Sequence, residues 1–173
     1  KKHGVEYRRQ WRKLHIGIDA QTMQIRAICV TSNNVSDAAV IPDLLDQLPQ
    51  DEKFESLTGD GAYDTKQVYE AVIEHGATAI IPPRRNARIR KGKAFAHRNA
   101  AIAACKRLGR GIWKAWSGYH RRSLVETKMN CIKRLGERVM ARSFESQVNE
   151  LHIRAAILNR FTELGRPQTA AVA

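Results

Sequence analysis

Cysteine is scarce and unpaired in this sequence. Cys29, Cys105 and Cys131 are odd in number, far apart and outside any Cys-x-x-Cys pair, which argues against a disulfide scaffold or a structural zinc site. That usage fits a reducing cytoplasm. The histidines His3, His15, His75, His97, His120 and His152 include no pair at helical ligand spacing and read as surface or core residues. There is no long apolar run to cross a membrane, and no basic helix with a large aromatic or leucine face to lie on one. Nor is there a signal peptide: the chain opens Lys1-Lys2-His3-Gly4 without methionine and reads as beginning within a longer protein. Acids are scarce as well, 17 Asp plus Glu against 30 Lys plus Arg, a formal charge of +13. A surface of that sign suits a polyanionic partner, and with the membrane set aside, nucleic acid leads.

What is present is enough for one domain. The 173 residues are 43% hydrophobic, sufficient to bury a core. Alternating Leu14, Ile16 and Ile18, a break at Ala20 to Met23, and Gln24 to Val30 predict a β-hairpin. Asn33 to Asp37 is turn and cap chemistry before a helix through Ala39, Val40, Leu44, Leu45 and Leu48, ended by Pro49. Phe54 to Thr58 predicts a short strand running into Gly59-Asp60-Gly61. Thr65 to His75 predicts a helix with Gly76 as its C-cap, and Ala77 to Ile81 a strand stopped by Pro82-Pro83. Arg84 to Lys93 is a basic loop or arm with few apolar residues. Helices are expected over His97 to Leu108, Ser117 to Leu135 and Phe144 to Leu164, and a disordered tail from Gly165 to Ala173. The order describes an α/β arrangement, a mixed sheet covered by helices.

Two places carry possible chemistry. Asp60 falls at the end of an apolar strand between two glycines, a position typical of oxygen-ligand metal sites in α/β sheets; a plain polar turn is the equal alternative. The second is Tyr119-x2-Arg122-x3-Glu126-x6-Lys133. On a regular helix from Ser117 these fall within an arc of roughly 60°, opposite Leu124, Val125, Ile132 and Leu135. The bland alternative is a solvated face with Arg122 and Glu126 as an i,i+4 ion pair.

That spacing resembles the Tyr-Arg-Glu-Lys signature of insertion-sequence DDE transposases of the IS-four and IS-five kind, and Asp60-Gly61-Ala62-Tyr63-Asp64 resembles their second-aspartate motif. Trp11 to His15, Ile41 to Leu45, Ile81 to Asn86 and Gly118 to Ser123 are similar to the same enzymes, so the resemblance spans nearly the whole chain. It implies a ribonuclease H-like catalytic domain over 1–164 whose first strand is missing. It also implies DNA cleavage and strand transfer with two Mg²⁺ or Mn²⁺ ions, held by Asp60 as second acid and Glu126 as third. Tyr119, Arg122 and Lys133 would contact DNA phosphate. The first aspartate of such enzymes sits on a strand before the hairpin, and here nothing precedes Lys1. Asp19 is the only carboxylate near the right region, where a turn-forming role is the plainer explanation. The implied partners are double-stranded DNA, both transposon ends and target, an upstream transposase fragment and a second copy on DNA. The implied setting is the bacterial cytoplasm, at the nucleoid, with no membrane.

Arg84 and Arg85, with the rest of the arm to Lys93, read as following the DNA backbone rather than as a merely solvated loop. Trp11, Trp113 and Trp116 read as core or docking residues, with stacking on an unpaired base as the alternative. Two other functions remain open: a related nuclease that cuts without joining, and a basic DNA-binding remnant without catalysis.

Overall fold

The computed structural model describes residues 11–165; of the expected tail, residues 166–173 lie outside the described residues. The hairpin forms as the alternation predicts: β1 (Arg12–Ile18) pairs antiparallel with β2 (Ile25–Ser32), His15 opposite Cys29. Asp19 builds the turn. Its backbone N–H donates to Gln24 O and its carbonyl accepts from Met23 N–H, each at 2.9 Å. Its Oδ1 accepts from Gln21 N–H at 2.7 Å and its Oδ2 from the Thr22 hydroxyl at 2.9 Å. The Gln21 bond is the main reason its carboxyl is held below the usual carboxylate range.

The hairpin divides the interior. Because side chains alternate across a strand, Ala27 and Cys29 face one core, while Ile28 and Val30 face another. The first core gathers Val40, Leu44 and Leu45, Val68, Tyr69 and Val72, and Ile81. The second gathers Ile132, Leu151, Ala155 and Leu158. The first part of the outer edge of β2 is covered by side chains rather than by a strand. Asn159 brackets Ile25, accepting from its N–H and donating to its carbonyl, each at 2.8 Å, and Gln47 Oε1 accepts from Ile28 N–H at 3.0 Å. Such cover takes up donors and an acceptor that would otherwise template further pairing there.

The expected helix after the hairpin is broken up. Ser36 caps a 3-10 turn at Asp37–Val40, followed by α1 (Ile41–Leu45), with Pro42 tolerated in its first turn where its missing N–H costs nothing. The chain then turns at Leu48, whose N–H donates to Leu45 O. Strand β3 (Ser56–Thr58) lies parallel to β4 (Thr78–Ile80), joined by α2 (Lys66–Glu74) with Thr65 as N-cap. Gly76 ends that helix at φ 67°, as its place in the sequence implied. A single mixed sheet was expected. Among the described residues the four strands instead form two separate two-stranded sheets, with three-residue strands in the second that leave little ladder to extend.

Helices α3 (Ala96–Leu108), α5 (Ser123–Arg134) and α6 (Phe144–Leu164) complete the covering layer. Between α3 and α5 lies an unforeseen helix, α4 (Arg110–Trp116), set off by Gly109 at φ 88° and Gly118 at φ 70°. Gly118 also overturns the expected continuous helix from Ser117. A 3-10 turn at Tyr119–Arg122 comes first, and regular α-helix begins only at Ser123.

One buried ion pair ties these parts together. Asp64 Oδ1 accepts from Arg98 Nε at 2.6 Å and from the Tyr69 hydroxyl at 3.2 Å. Its Oδ2 accepts from Arg98 Nη2 and from Arg84 N–H, both at 3.4 Å. Arg98 Nη1 donates onward to Arg88 O at 2.7 Å. Burial pushes the Asp64 carboxyl up, but the Arg98 hydrogen bonds and charge more than offset it, leaving it below the ordinary 3.8. The same burial, with the Asp64 charge, drives the Tyr69 hydroxyl far upward.

Removing one partner leaves a buried charge alone, which costs about 3–5 kcal/mol. Asp64→Asn is therefore expected to lower the unfolding free energy by that order, read by urea denaturation at neutral pH. Because the folded carboxyl lies below its unfolded value of about 3.9, its contribution is whole above that value and is lost as pH falls through the folded one. The gap between parent and D64N should accordingly narrow below about pH 4; a gap constant from pH 7 to 2 contradicts the assignment.

Candidate functional site

The loop after β3 is built around Asp60. It caps the 3-10 turn Gly61–Tyr63, its Oδ1 accepting from Ala62 N–H at 2.8 Å. Among the described residues its Oδ2 has no protein partner. Gly59 is glycine for a reason of packing: a Cβ there would lie 2.9 Å from Tyr63 Cδ2. The Tyr63 ring occupies the space beside Gly59, which is buried beneath it.

The strand leading to Asp60 packs against the turn Tyr119–Arg122, so the two sequence motifs are neighbours in the fold. In that turn the helical arc drawn for a regular helix does not apply. In a 3-10 turn residues three apart eclipse, so Tyr119 and Arg122 still share one ridge. The Tyr119 ring is not free. It packs on Trp113 with centroids 6.0 Å apart, and Lys114 Nζ lies 5.2 Å from its centre. Arg122 Nη2 and Glu126 Oε1 pair at 2.7 Å across the start of α5, with Glu126 more than half exposed. Lys133 is exposed two turns further on, about 10 Å along the axis.

The apolar back expected for α5 is only partly right. Ile132 is buried, but Leu135 is 40% exposed. Lys128 takes the buried place instead, its Nζ donating to Thr162 Oγ1 of α6 at 2.9 Å; nothing in its sequence neighbourhood marked it. Asp64 and Arg98 also escaped notice as a pair, being 34 residues apart.

The basic loop is pinned rather than free. Asn99 brackets Arg90, accepting from its N–H at 3.1 Å and donating to its carbonyl at 2.7 Å. Arg110 donates to Pro83 O. The side chains of Arg84, Arg85, Arg88 and Arg90 remain exposed. Of the tryptophans, Trp113 is buried as expected, whereas Trp11 and Trp116 are 70% and 77% exposed and do not pack in the core. Trp116 ends α4 three residues before Tyr119, and Trp11 precedes β1, positions at which no core face passes.

Among the described residues Asp60 and Glu126 each have one carboxylate oxygen without a protein partner, a donor type suited to hard divalent ions such as Mg²⁺. Among the described residues no three His, Cys, Asp or Glu converge to hold a metal ion. Asp19 has both carboxylate oxygens engaged in its own turn. The described residues include no helix long and apolar enough to cross a membrane.

The sequence model of one family, described as a transposase DDE domain, matches residues 1–160. The chain belongs to that family, and a DNA-acting enzyme is what the family defines. No solved structure matches it.

Asp60→Asn keeps the turn cap, since an amide oxygen accepts as a carboxylate does, and Glu126→Gln removes only an exposed i,i+4 pair. Both variants should unfold within about 0.5 kcal/mol of the parent, whereas Asp60→Ala should lose about 1 kcal/mol by losing the cap. Thermal melts of the three decide it. A large loss for D60N would make Asp60 a structural residue.

Proposed function

We propose that the chain is the C-terminal catalytic part of an insertion-sequence transposase of the IS-four and IS-five kind, with a ribonuclease H-like fold. On this reading it cuts DNA and joins the freed 3′ hydroxyl to a target. The observation that carries the proposal is the packing of the Asp60 strand against the Tyr119–Arg122 turn, within a chain of the transposase DDE family. Asp60 and Glu126 are the residues to hold divalent ions. When bound, Mg²⁺ or Mn²⁺ activates the attacking oxygen and neutralises charge on the leaving one.

The remaining residues position DNA. Arg122, shared with Glu126, and Lys133 hold the phosphate at the reacting bond, and cations do so without competing for metal. Tyr119, packed on Trp113, fixes the turn that presents Arg122. Arg84 and Arg85 contact flanking backbone. The partners on this reading are transposon-end and target DNA and a second copy of the chain on that DNA, in the bacterial cytoplasm at the nucleoid.

The first acid is assigned to a further strand. Side chains cover part of the outer edge of β2, and among the described residues no strand pairs along the outer edge of β1. Among the described residues nothing joins β1 to the sheet of β3 and β4. A strand docking on β1 would extend the hairpin's sheet and bring a third carboxylate.

The isolated chain is accordingly expected not to cut a labelled duplex carrying the element's own end. Supplying the upstream strand, in cis or as a separate fragment, should bring Mg²⁺-dependent cleavage and joining, lost in D60N and E126Q. Cleavage without joining makes the protein a nuclease, and binding without cleavage makes it a non-catalytic remnant. Efficient cleavage by the 173-residue chain alone would show the first acid to be misplaced, and Asp19 becomes the residue to replace.

A further inference from the structure

Beside the Asp60 loop lies an open groove of about 590 Å³. One wall comes from Thr65 and Lys66 at the start of α2, the other from Arg84, Asn86, Arg88 and Arg90 of the basic loop. Its charge is one-sided. The acid that lines it, Asp64, is consumed by Arg98, with side chains 2% and 4% exposed. Among the described residues Lys66 pairs only with an exposed i,i+4 partner, Glu70 at 3.2 Å, a pairing weak enough to exchange for a better anion. Arg84 and Arg88 have no side-chain acceptor among the described residues, and Arg90 lies over the Phe95 ring, 5.4 Å from its centre.

Pockets for small organic ligands are mostly apolar with a few polar groups; this one is walled by guanidinium and ammonium groups, and it is open. Its shape is also held. Arg98 fixes the Arg88 carbonyl, Asn99 fixes Arg90, and Asp64 fixes the Arg84 N–H. The cations are therefore presented from backbone that does not have to be ordered when an anion arrives, which spares binding that cost.

We propose that this groove is a second DNA-backbone site, in which Lys66 and Arg88 grip phosphates of one strand from opposite walls while the reacting bond lies at Asp60. It rests on the reading of the chain as DNA-acting. It differs from a basic arm trailing along DNA in one respect: a helix residue, Lys66, belongs to the interface. The groove and the acid loop are joined by the short stretch from Asp60 to Asp64, a 3-10 turn rising about 2 Å per residue. Phosphates held there are consequently near neighbours of the one at the acids, along the same strand.

The test is fluorescence anisotropy of a labelled duplex with the full chain, measured from low to moderate salt. Each phosphate contact contributes roughly 0.9 to the slope of log affinity against log salt. K66Q and R88Q should each weaken binding several-fold and lower the slope by about one, and the double variant by about two. R160Q, on α6 beyond the other face of the hairpin, is the control and should change neither. Circular dichroism checks that each variant is folded, and amide shifts of Thr65, Asn86 and Ala87 on adding duplex provide a readout independent of substitution. Duplex binding with an unchanged slope in K66Q and no shift at those amides overturns the groove and leaves the DNA reading standing. Loss with R88Q but none with K66Q also overturns it, in favour of the arm alone. If the parent chain binds no duplex at all, the DNA reading falls with it.

Discussion

The part of the molecule around the candidate acids hangs on the contact between Asp64 and Arg98. Both side chains are almost fully removed from water, a costly act for two charges that their attraction repays only when the geometry is good and the other polar atoms are satisfied. Here they are. Asp64 receives four donors from three separate segments, α2, the basic loop and α3. An apolar pair of the same volume could pack as well, but it would not fix which loop carbonyl or N–H sits where. The ion pair sets the register of the segment after Ile81 against α3, and so determines where four exposed arginines point.

The hairpin performs a comparable service on the other side. With one face of β2 in the core of α1 and α2 and the other against α5 and α6, a slip of one residue would exchange the two sets. That double burial holds the two helical layers in fixed relation to the strands. Lys128, bonded to Thr162, links α5 to α6 within the second layer. The position of Glu126 at the head of α5 is thus inherited from packing well away from it, through a helix whose opposite face carries Ile132 and Lys128.

Much of this was legible in the sequence where one local rule decides. The hairpin follows from alternation, α2 from the Thr65 cap and the Gly76 stop, and α6 runs over the span its periodicity implies. What escaped depends on distant partners or on single glycines. Gly118 in the left-handed region replaces the first turn of the helix expected from Ser117 with a 3-10 turn, and α4 before it was not foreseen. The Tyr119, Arg122, Glu126 and Lys133 pattern was readable, yet the Tyr119 ring packs on Trp113, a contact that helical angles do not foretell. Asp64 was visible as part of a motif, but its role required Arg98, whose place in the fold no spacing reveals. Exposure of Trp11 and Trp116 was likewise invisible, because an aromatic residue in a short segment looks the same from either side of the surface.

Asp60 and Asp64 show how one short motif yields two acids of opposite character. The turn between them is a single 3-10 unit, and Asp60 spends one oxygen on capping it. Asp64, just past its end, is buried beneath the basic loop and has both oxygens claimed. A carboxylate that already accepts from a guanidinium, a phenol and an amide has no lone pair favourably placed for a cation. One that caps a turn and faces outward keeps half its coordination capacity. The number of donors aimed at each acid among the described residues therefore decides which is anchor and which is available.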